Sequence, residues 1–403
     1  MLALEEAQRI VLENAAPRPT SRVDVLQALG GNLAEDVRAD RDQPEFDRSA
    51  MDGYAVHSED LETAPATLAL HPGVIAAGCW PELRLDRGHA ARIMTGAPLP
   101  QGADAVQMIE ETQVEDAGVR FFKGVEKWEH VRRRGEDLRE GEVAVAAGTR
   151  ITPAVLGVLA SFGCATVSVY DPPVVGVMTT GSELVEYNEV PGPGQIRNSN
   201  SLALLGLLYR HGIEGGYIGK IPDEIEQIVE ALGRGIESAD LLLVTGGASE
   251  GDFDLVAAAL ARIGATVFFH KVAIKPGKPV SFAKMGGKAI FSLPGNPVSA
   301  VVAFHLLVDP YIRKLTGSAD PLPRVYRGRL ARPFRKGGPR RHFVPAVCRN
   351  APVGLEAEPL EFRGSGDMVA FAKANCMIVV AEGDVVLAPG AEVEIQLLED
   401  PRA

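Results

Sequence analysis

The chain opens with apolar residues at helical spacing. Leu4, Ala7, Ile10 and Val11 would share one face of a helix, and residues 23–37 repeat this pattern around a Gly-Gly pair. The first segment carries acidic residues on its other face, as a surface helix does. We therefore expect two helices in this opening part of the chain.

The pattern then changes twice. From about residue 57 to 136, short apolar runs are separated by Gly, Pro and Asp, which is typical of a small β-rich module. The segment 153–163 has helical character, with Pro153 in its first turn. We expect this helix to pack back on the N-terminal helices, which makes the β-rich module an insertion.

Beyond residue 172, apolar runs alternate with amphipathic segments. The runs within 173–181, 240–247 and 288–295 are typical of strands buried on both faces. One helical segment between them begins at Asp223, with Glu226 three residues later, as in a capping box. Strands and helices that alternate with short connections predict a doubly wound, parallel α/β sheet.

The last part of the chain returns to short β segments and turns, which predict a small barrel or sandwich. The expected fold is therefore a multidomain α/β protein. Its predicted domains are a helical linker domain (1–50 plus 137–172), an inserted β-rich domain (51–136), a doubly wound α/β domain (173–320) and a C-terminal β-barrel domain (321–403).

Composition narrows the classes of function. The 403 residues carry 41 Lys and Arg against 53 Asp and Glu, a net charge of −12, so nucleic acid and anionic membranes are not expected partners. The 4 cysteines form no CxxC pair, which argues against a structural zinc site or a disulfide framework. We find no signal peptide or membrane span in the sequence and expect a cytoplasmic protein.

Candidate chemistry is found where the predicted strands end. In an open α/β sheet, ligands collect outside the carboxyl ends of the strands. Four such ends carry glycines with hydroxyl, carboxylate, amide or lysine groups: "TTGSEL" (179–184), "GGASEGDFD" (246–254), "KPGKP" (275–279) and "PGNPVSA" (294–300). This convergence is more specific than any one of the motifs.

The last two motifs predict an anion site. Asn296 is a good helix N-cap and Pro297 suits the first helical position, so the unpaired amides that follow would seat an anion together with Ser299. Lys275 and Lys278 each precede a proline and would neutralise a phosphate or oxyanion as point charges. A plain capped helix and a solvated lysine pair are the alternatives.

The carboxylates at the other strand ends predict a metal site. Glu183 and Asp254 could hold Mg²⁺, which favours one or two carboxylates together with substrate phosphates. Capping of the following helix is the alternative for Asp254. The chain has no GxGxxG, P-loop or GxSxG motif, so charge neutralisation and positioning, as in phosphoryl or oxyanion transfer, are the expected chemistry.

Taken together, the motifs resemble the molybdopterin molybdenumtransferase family, which includes the bacterial MoeA proteins and the matching domain of gephyrin. The resemblance runs along almost the whole chain. It rests on "FDRSAMDGYAV" (46–56), "IMTGAPLPQGADAV" (93–106), "VRRRGEDL" (131–138), "TTGSEL" (179–184), "GQIRNSN" (194–200), "LLLVTGGASEGDFD" (241–254), "AIKPGKP" (273–279) and "LPGNPVSA" (293–300).

The resemblance implies an activity and partners. The implied reaction inserts molybdenum from molybdate into adenylylated molybdopterin, uses a divalent metal such as Mg²⁺, and releases AMP. The implied assembly is an elongated homodimer of four-domain subunits, in which the partner subunit supplies part of the site. The molybdopterin adenylyltransferase and apo-molybdoenzymes are further implied partners.

The matched segments also imply site residues. The implied catalytic residues are Asp52, Asp137, Glu183, Asp254, Lys275 and Lys278, and Glu183 and Asp254 are the implied metal ligands. The implied cofactor-binding residues are Thr95, Gly181, Ser182, Asn200, Gly246, Gly247, Ser249, Pro294, Gly295, Asn296, Pro297 and Ser299.

Two residues depart from the family pattern. Ser182 stands where members often have Asp, which removes one metal ligand, and Glu250 adds charge where they have an apolar residue. Three alternatives stay open. A tungsten-inserting paralogue would share every motif, a molybdopterin adenylyltransferase would consume ATP and would not need the flanking domains, and a pterin-binding scaffold would not be catalytic.

Overall fold

The structure is a computed structural model that describes residues 1–247 and 255–401. The predicted site residues Ser249 and Asp254 therefore lie outside the described residues, as do Glu250 and Asp252. The α-helices of the described part are α1 Leu4–Glu13, α2 Pro153–Ser161, α3 Asn200–Tyr209, α4 Ile225–Ser238, α5 Leu255–Arg262, α6 Pro297–Ala303, α7 Asp309–Leu315 and α8 Met368–Phe371.

The strands belong to several small sheets and three large ones. In chain order they are β1 Thr20–Asp24, β2 Val37–Arg38, β3 Arg48–Ser49, β4 Gly53–Val56, β5 Ala66–Ile75, β6 His89–Ile93, β7 Ala105–Met108, β8 Thr112–Glu115, β9 Gly118–Phe121, β10 Val131–Arg132, β11 Val143–Val145, β12 Thr166–Tyr170, β13 Val175–Thr180, β14 Leu184–Val185, β15 Ile196–Arg197, β16 Gly216–Ile221, β17 Leu241–Thr245, β18 Thr266–Phe269, β19 Ile274–Lys275, β20 Ser281–Met285, β21 Lys288–Leu293, β22 Val325–Leu330, β23 Phe334–Lys336, β24 Arg341–Ala351, β25 Gly354–Pro359, β26 Cys376–Val380, β27 Val385–Leu387 and β28 Glu392–Leu397.

The linker domain is built from two distant chain segments. Antiparallel pairs join β1 to β12, β2 to β11 and β3 to β10, and residues such as Leu33 and Leu159 share one core. Helix α2 is confirmed; Pro153 opens it, and the Thr152 hydroxyl accepts a hydrogen bond from the Val155 amide at 3.3 Å. The β-rich part between the two segments is thus an insertion.

The prediction of a second helix in the N-terminal part of the chain is wrong. Residues 23–37 instead contain the end of β1 followed by turns, and Gly30 takes a positive φ of 84°. Pairing of β1 with β12 overrides the local apolar spacing, because Val23 lies opposite Val167 in the ladder. Helix α1 is confirmed, but it packs against α7 in the core of the α/β domain and not with the linker domain.

The inserted domain is a six-stranded sheet in the order β7-β4-β6-β5-β9-β8. Most neighbouring strands are antiparallel, and β5 and β6 are parallel. Tyr54 and Phe121 stack edge to face at 5.9 Å within its core. The sheet carries the turn between β3 and β4, where Asp52 lies.

The α/β domain is a six-stranded sheet in the order β16-β13-β17-β21-β20-β18. The first four strands are parallel, as predicted, whereas β20 is antiparallel to both of its neighbours. The sequence prediction missed β16 and β20. A Gly286-Gly287 turn with positive φ at both residues (57° and 85°) joins β20 to β21, which is the backbone that tight hairpins require.

The predicted capping box of α4 is wrong. The N-cap position belongs to Glu224, which makes no side-chain capping bond, and the helix begins at Ile225. The Asp223 carboxylate instead accepts a hydrogen bond from the Ser182 backbone N–H.

The C-terminal domain is a closed barrel of five strands. The ladder runs β24-β25-β22-β28-β26, and β26 pairs back with β24. Closure removes the free edges of the sheet. In the described part of the chain, no helix is both long enough and apolar enough to cross a membrane.

Candidate functional site

The carboxyl ends of β13, β17 and β21 meet at one edge of the α/β sheet. Thr179 lies opposite Thr245, and Thr245 lies opposite Leu293, so the turns that follow these strands are neighbours. They surround a cavity of about 770 Å³. The predicted site residues that line it are Gly181, Glu183, Asn200, Gly246, Gly247, Gly295, Asn296 and Pro297.

The floor of this strand-end pocket requires glycine. Gly246 and Gly247 have positive φ of 97° and 64°. A Cβ at Gly246 would lie 2.9 Å from Thr180 Oγ1 and nearer still to the Thr180 carbonyl oxygen. At Gly247 a Cβ would lie 2.7 Å from Val256 Cγ2 and 2.8 Å from Thr180 Oγ1. The absence of side chains lets the backbone of this turn face the pocket.

Asn200 ties two of the turns together from the start of α3. Its Nδ2 donates to Thr245 Oγ1 and to the Gly295 carbonyl, both at 2.8 Å. Thr245 Oγ1 in turn donates to the Pro294 carbonyl at 2.9 Å. The glycine turn after β21 is therefore held in place by side chains from α3 and β17.

Two buried polar atoms in the pocket wall have no hydrogen-bond partner within residues 1–247 and 255–401. They are the Thr180 hydroxyl and Asn200 Oδ1. Buried polar groups are nearly always paired, since an unmade hydrogen bond costs about 1–3 kcal/mol. A donor and an acceptor left open at one pocket are what a polar ligand would satisfy.

Carboxylates approach the pocket from one side. The Glu183 carboxylate folds back over Gly181, so that a Cβ added there would lie 2.7 Å from Glu183 Oε2. Ser182 and Asp223 bond reciprocally: the Ser182 amide donates to Asp223 Oδ2 and the Asp223 amide donates to Ser182 Oγ, both at 3.1 Å. Glu183 and Asp223 both line the pocket, so Asp223 brings a carboxylate beside Ser182.

This carboxylate side is not a ready-made metal cage. Among the described residues there is no group of three or more His, Cys, Asp or Glu side chains arranged to hold a metal ion. The predicted ligand Glu183 lies in the pocket, whereas Asp254 is outside the described residues. Two carboxylates suit a Mg²⁺ ion that is held jointly with the phosphates of a substrate.

A buried amide supports the pocket from below. Asn198 is 1% exposed, and its Nδ2 donates to Thr179 Oγ1 at 3.0 Å and to the Tyr217 hydroxyl at 2.9 Å. Its Oδ1 accepts from the Ser201 amide, which caps the start of α3. The Tyr217 hydroxyl donates to Glu186, and burial raises the pKa of that hydroxyl. This network fixes the position of α3 and hence of Asn200.

The predicted anion seat lies at the start of α6, next to a loop of the barrel domain. Asn296 holds the N-cap position and Pro297 the first turn, but the Asn296 side chain makes no capping bond. The Val298 amide donates to the Ser365 carbonyl at 3.1 Å, so a loop of the barrel domain already occupies one of the amides expected to bind an anion. The next residue of this loop, Gly366, lines the pocket.

The lysine motif lies on the barrel side of α6. The strand expected to lead into it is interrupted: β18 ends at Phe269, and Lys275 belongs to β19, which pairs with β24 of the barrel. A Cβ at Gly277, between Lys275 and Lys278, would lie 3.4 Å from the Ser299 carbonyl of α6. The motif thus contacts the helix whose first residues line the pocket.

Lys275 belongs to a basic cluster that the sequence reasoning did not find. Its register partner is His342, and Lys336 and Arg340 are close enough to affect the same ring. Burial, followed by the charges of Lys275, Lys336 and Arg340, lowers the pKa of His342 to about 4. Lys336 is 6% exposed and donates to the carbonyls of Arg340 and Ala381, each at 2.6 Å.

The acidic loops of the other two domains lie apart from the pocket. Asp52 Oδ1 accepts from the Thr95 amide at 2.7 Å and from the Thr95 hydroxyl at 2.8 Å, and these bonds lower the pKa of Asp52. Asp137 forms an ion pair with Arg132. Neither carboxylate lines the strand-end pocket, and no pocket-lining residue comes from the inserted domain.

Comparisons with known proteins identify relatives along the whole chain. A model of the MoeA N-terminal region (domain I and II) matches residues 2–163, a probable molybdopterin binding domain matches 176–314, and the MoeA C-terminal region (domain IV) matches 327–398. The molybdopterin molybdenumtransferase of Staphylococcus epidermidis is 34% identical over 401 residues, covering 99% of this chain and 96% of that protein. The Bacillus subtilis protein of the same name is 35% identical over 410 residues, covering 99% and 94%.

Solved structures agree. The molybdopterin biosynthesis moeA protein from Pyrococcus horikoshii OT3 is 28% identical, with a TM-score of 0.84 over 98% of this chain and 100% of that one. A second Pyrococcus structure, also named as a molybdopterin biosynthesis moea protein, is 31% identical, with a TM-score of 0.77 over 99% of this chain and 100% of that one.

Proposed function

The chain belongs to the MoeA family of molybdopterin molybdenumtransferases, and from this premise we propose that it inserts molybdenum from molybdate into adenylylated molybdopterin and releases AMP. The observation that carries this proposal is the strand-end pocket with its two unpaired polar atoms. A pocket of this volume is in the range of small-molecule sites. The pterin and its phosphate are the polar ligand assigned to it.

Different groups of the strand-end pocket bind different parts of the proposed substrate. The glycine turns at Gly246 and Gly295 let the backbone approach the phosphate closely, while Thr180 and Asn200 offer a hydroxyl and an amide oxygen to the polar groups of the substrate. Asn198 is a positioning residue that acts through α3. Held in this way, the phosphoanhydride is presented in one orientation when AMP leaves.

Molybdate is assigned to the basic side of the site. The turn at Gly277, between Lys275 and Lys278, lies against α6, and Lys336 and Arg340 add positive charge near Lys275. A tetrahedral dianion requires such local charge in a chain whose net charge is −12. The Ser365 loop, which contacts the first turn of α6, lies between this cluster and the pocket in the proposed arrangement.

Mg²⁺ is proposed at the carboxylate side, held by Glu183 and Asp223 together with substrate phosphate, and by Asp254 as the sequence implies. The bound ion would neutralise charge on the phosphoanhydride as AMP departs. Asp223 takes the place of the carboxylate that Ser182 lacks, because the reciprocal hydrogen bonds hold the two residues together.

The distant acidic loops are proposed to act across a homodimer. Asp52 with Thr95, and Asp137, do not line the pocket of their own subunit. Hydrogen bonds from the Thr95 amide and hydroxyl lower the pKa of Asp52 and hold its carboxylate in one orientation. In the proposed dimer, these carboxylates of one subunit complete the pocket of the other.

Measuring AMP release from adenylylated molybdopterin, with and without molybdate, tests the proposal. Wild-type protein should release AMP in a molybdate-dependent manner, and Glu183→Gln and Lys275→Ala should lose most of that rate. The matched control is Glu392→Gln, an exposed carboxylate on the barrel strand β28. Wild-type rates in both site variants would contradict the site assignment. A preference for tungstate over molybdate would identify tungsten as the inserted metal. Consumption of ATP without AMP release would identify the adenylyltransferase reaction.

A further inference from the structure

A second polar cavity lies at the other end of α3. It has a volume of about 290 Å³ and is lined by residues of the linker domain, the α/β domain and the barrel. Asn200 in the strand-end pocket begins α3 and Arg210 follows its last residue, which separates the two sites by about 15 Å at the rise of an α-helix. The two cavities share no lining residue.

This cavity is strongly basic. Its lining contains four arginines (Arg150, Arg210, Arg313 and Arg324) and one carboxylate, Asp309. We call it the arginine cleft. A larger cavity of about 990 Å³ shares all four arginines, but it also contains Asp171 and Asp320, so the excess of positive charge belongs to the smaller space.

The single carboxylate is already paired. Asp309 Oδ1 lies 2.8 Å from Arg313 Nε and 3.0 Å from His211 Nε2. Arg210 donates to the neutral Leu398 carbonyl at 2.7 Å. Arg324 lies 3.7 Å from Asp320 with both side chains well exposed, a weak pair, and Arg150 has no ion pair within the described ranges.

Helix ends account for only half of these arginines. Arg210 and Arg313 lie at the carboxyl ends of α3 and α7, where positive charge complements the helix dipole. Arg150 comes from the linker domain, and Arg324 comes from the segment between α7 and β22. Neither residue lies at a helix end, so helix dipoles do not account for these two arginines at the cavity. Binding of an anionic ligand would account for them.

An uncharged amide also lines this space. Gln396 of β28 is 4% exposed as a residue, and within residues 1–247 and 255–401 its side chain makes no hydrogen bond. His305 lines the cleft as well, and burial lowers its pKa to about 4, so its ring is neutral at pH 7. The Gln396 amide therefore offers an uncharged donor and acceptor to a ligand in the cleft.

We propose that the arginine cleft binds a small polyanion of the diphosphate class. One guanidinium group can donate two parallel hydrogen bonds to two oxygens of a phosphate. The four arginines could donate such bonds to one ligand from different sides of the cavity. The Gln396 amide supplies a neutral donor to the same anion. Because the arginines and Gln396 come from three domains, the bound anion cross-links these domains and stabilises their arrangement.

Titration calorimetry of the full chain with inorganic diphosphate tests this site. Wild-type protein should bind, and the double variant Arg150→Gln/Arg324→Gln should bind at least about tenfold more weakly, since it loses two charge-assisted contacts. Arg349→Gln, an exposed arginine of the barrel strand β24, is the matched control and should bind like wild type. Lys275→Gln should also bind like wild type, which separates the cleft from the basic cluster of the proposed active site.

The variant Gln396→Glu tests the same site if the double variant folds poorly. Gln396→Glu keeps the shape of the side chain and places a negative charge in the cleft, so diphosphate binding should be lost. No binding by wild type, unchanged affinity in Gln396→Glu, or a loss that follows Lys275→Gln would overturn the proposal. Tighter binding of AMP than of diphosphate would overturn the assigned ligand class.

Discussion

Gly246 offers a sharp test of how the pocket floor is built. The change Gly246→Ala places a methyl group 2.9 Å from Thr180 Oγ1, and closer to the Thr180 carbonyl, at a residue with φ of 97°. The left-handed backbone costs about 1–2 kcal/mol for a residue with a side chain. The overlap with backbone adds about 1–3 kcal/mol, since the strand that carries Thr180 is buried and cannot move freely.

We therefore expect Gly246→Ala to lower the free energy of unfolding of this part of the sheet by about 2–5 kcal/mol. Amide hydrogen exchange of peptides from β13 and β17 measures that opening locally, which suits a protein of several domains. The control is Gly233→Ala in the middle of α4, where nothing lies within 4 Å of the added Cβ. That change should stabilise its helix by about 0.5–1 kcal/mol. Equal protection of β13 and β17 in wild type and Gly246→Ala would refute the packing argument.

Three further changes test other parts of the site. Asp223→Asn keeps an acceptor for the Ser182 amide but removes a negative charge. It should therefore raise the Mg²⁺ concentration needed for AMP release and leave the urea unfolding midpoint unchanged. An unaltered Mg²⁺ requirement would contradict the metal assignment. Mixed dimers of Asp52→Ala with Glu183→Ala should regain activity that neither variant has alone, because one composite site is intact, and inactive mixed dimers would argue against a shared site. His305→Gln should make the protein less sensitive to acid, because burial lowers the pKa of His305 from 6.5 to about 4 and only the unfolded chain binds the proton between these values. Between pH 6.5 and pH 4, the free energy of unfolding of wild type should fall by about 3 kcal/mol more than that of the variant. Urea midpoints that change in parallel for the two proteins across this range would contradict the prediction.

The α/β domain was largely predictable because its buried strands are continuous apolar runs. The strands β13, β17 and β21 are fully buried or nearly so. The strand-end rule then located Gly181, Gly246 and Gly295 at one pocket. Local periodicity failed at residues 23–37, where pairing with a distant strand decides the conformation.

The missed site residues follow from missed strands. Half-exposed β16 lacks a continuous apolar run, so the sequence predicts Asp223 as a helix cap, although this residue follows the end of that strand and lines the pocket. Asn198 lies in a matched segment, but only tertiary structure shows its bonds to Thr179 and Tyr217. The basic cluster around Lys275 combines residues more than sixty positions apart, and no local pattern connects β19 with β24.

In the proposed function, the strand-end pocket couples molybdenum insertion to AMP release. The most direct test measures both products in the same reaction, molybdenum bound to the pterin by elemental analysis and AMP by chromatography. We predict one molybdenum inserted per AMP released by the wild-type protein, and loss of both products together in Glu183→Gln. AMP release without molybdenum insertion in wild type, or full insertion by Glu183→Gln, would contradict the account.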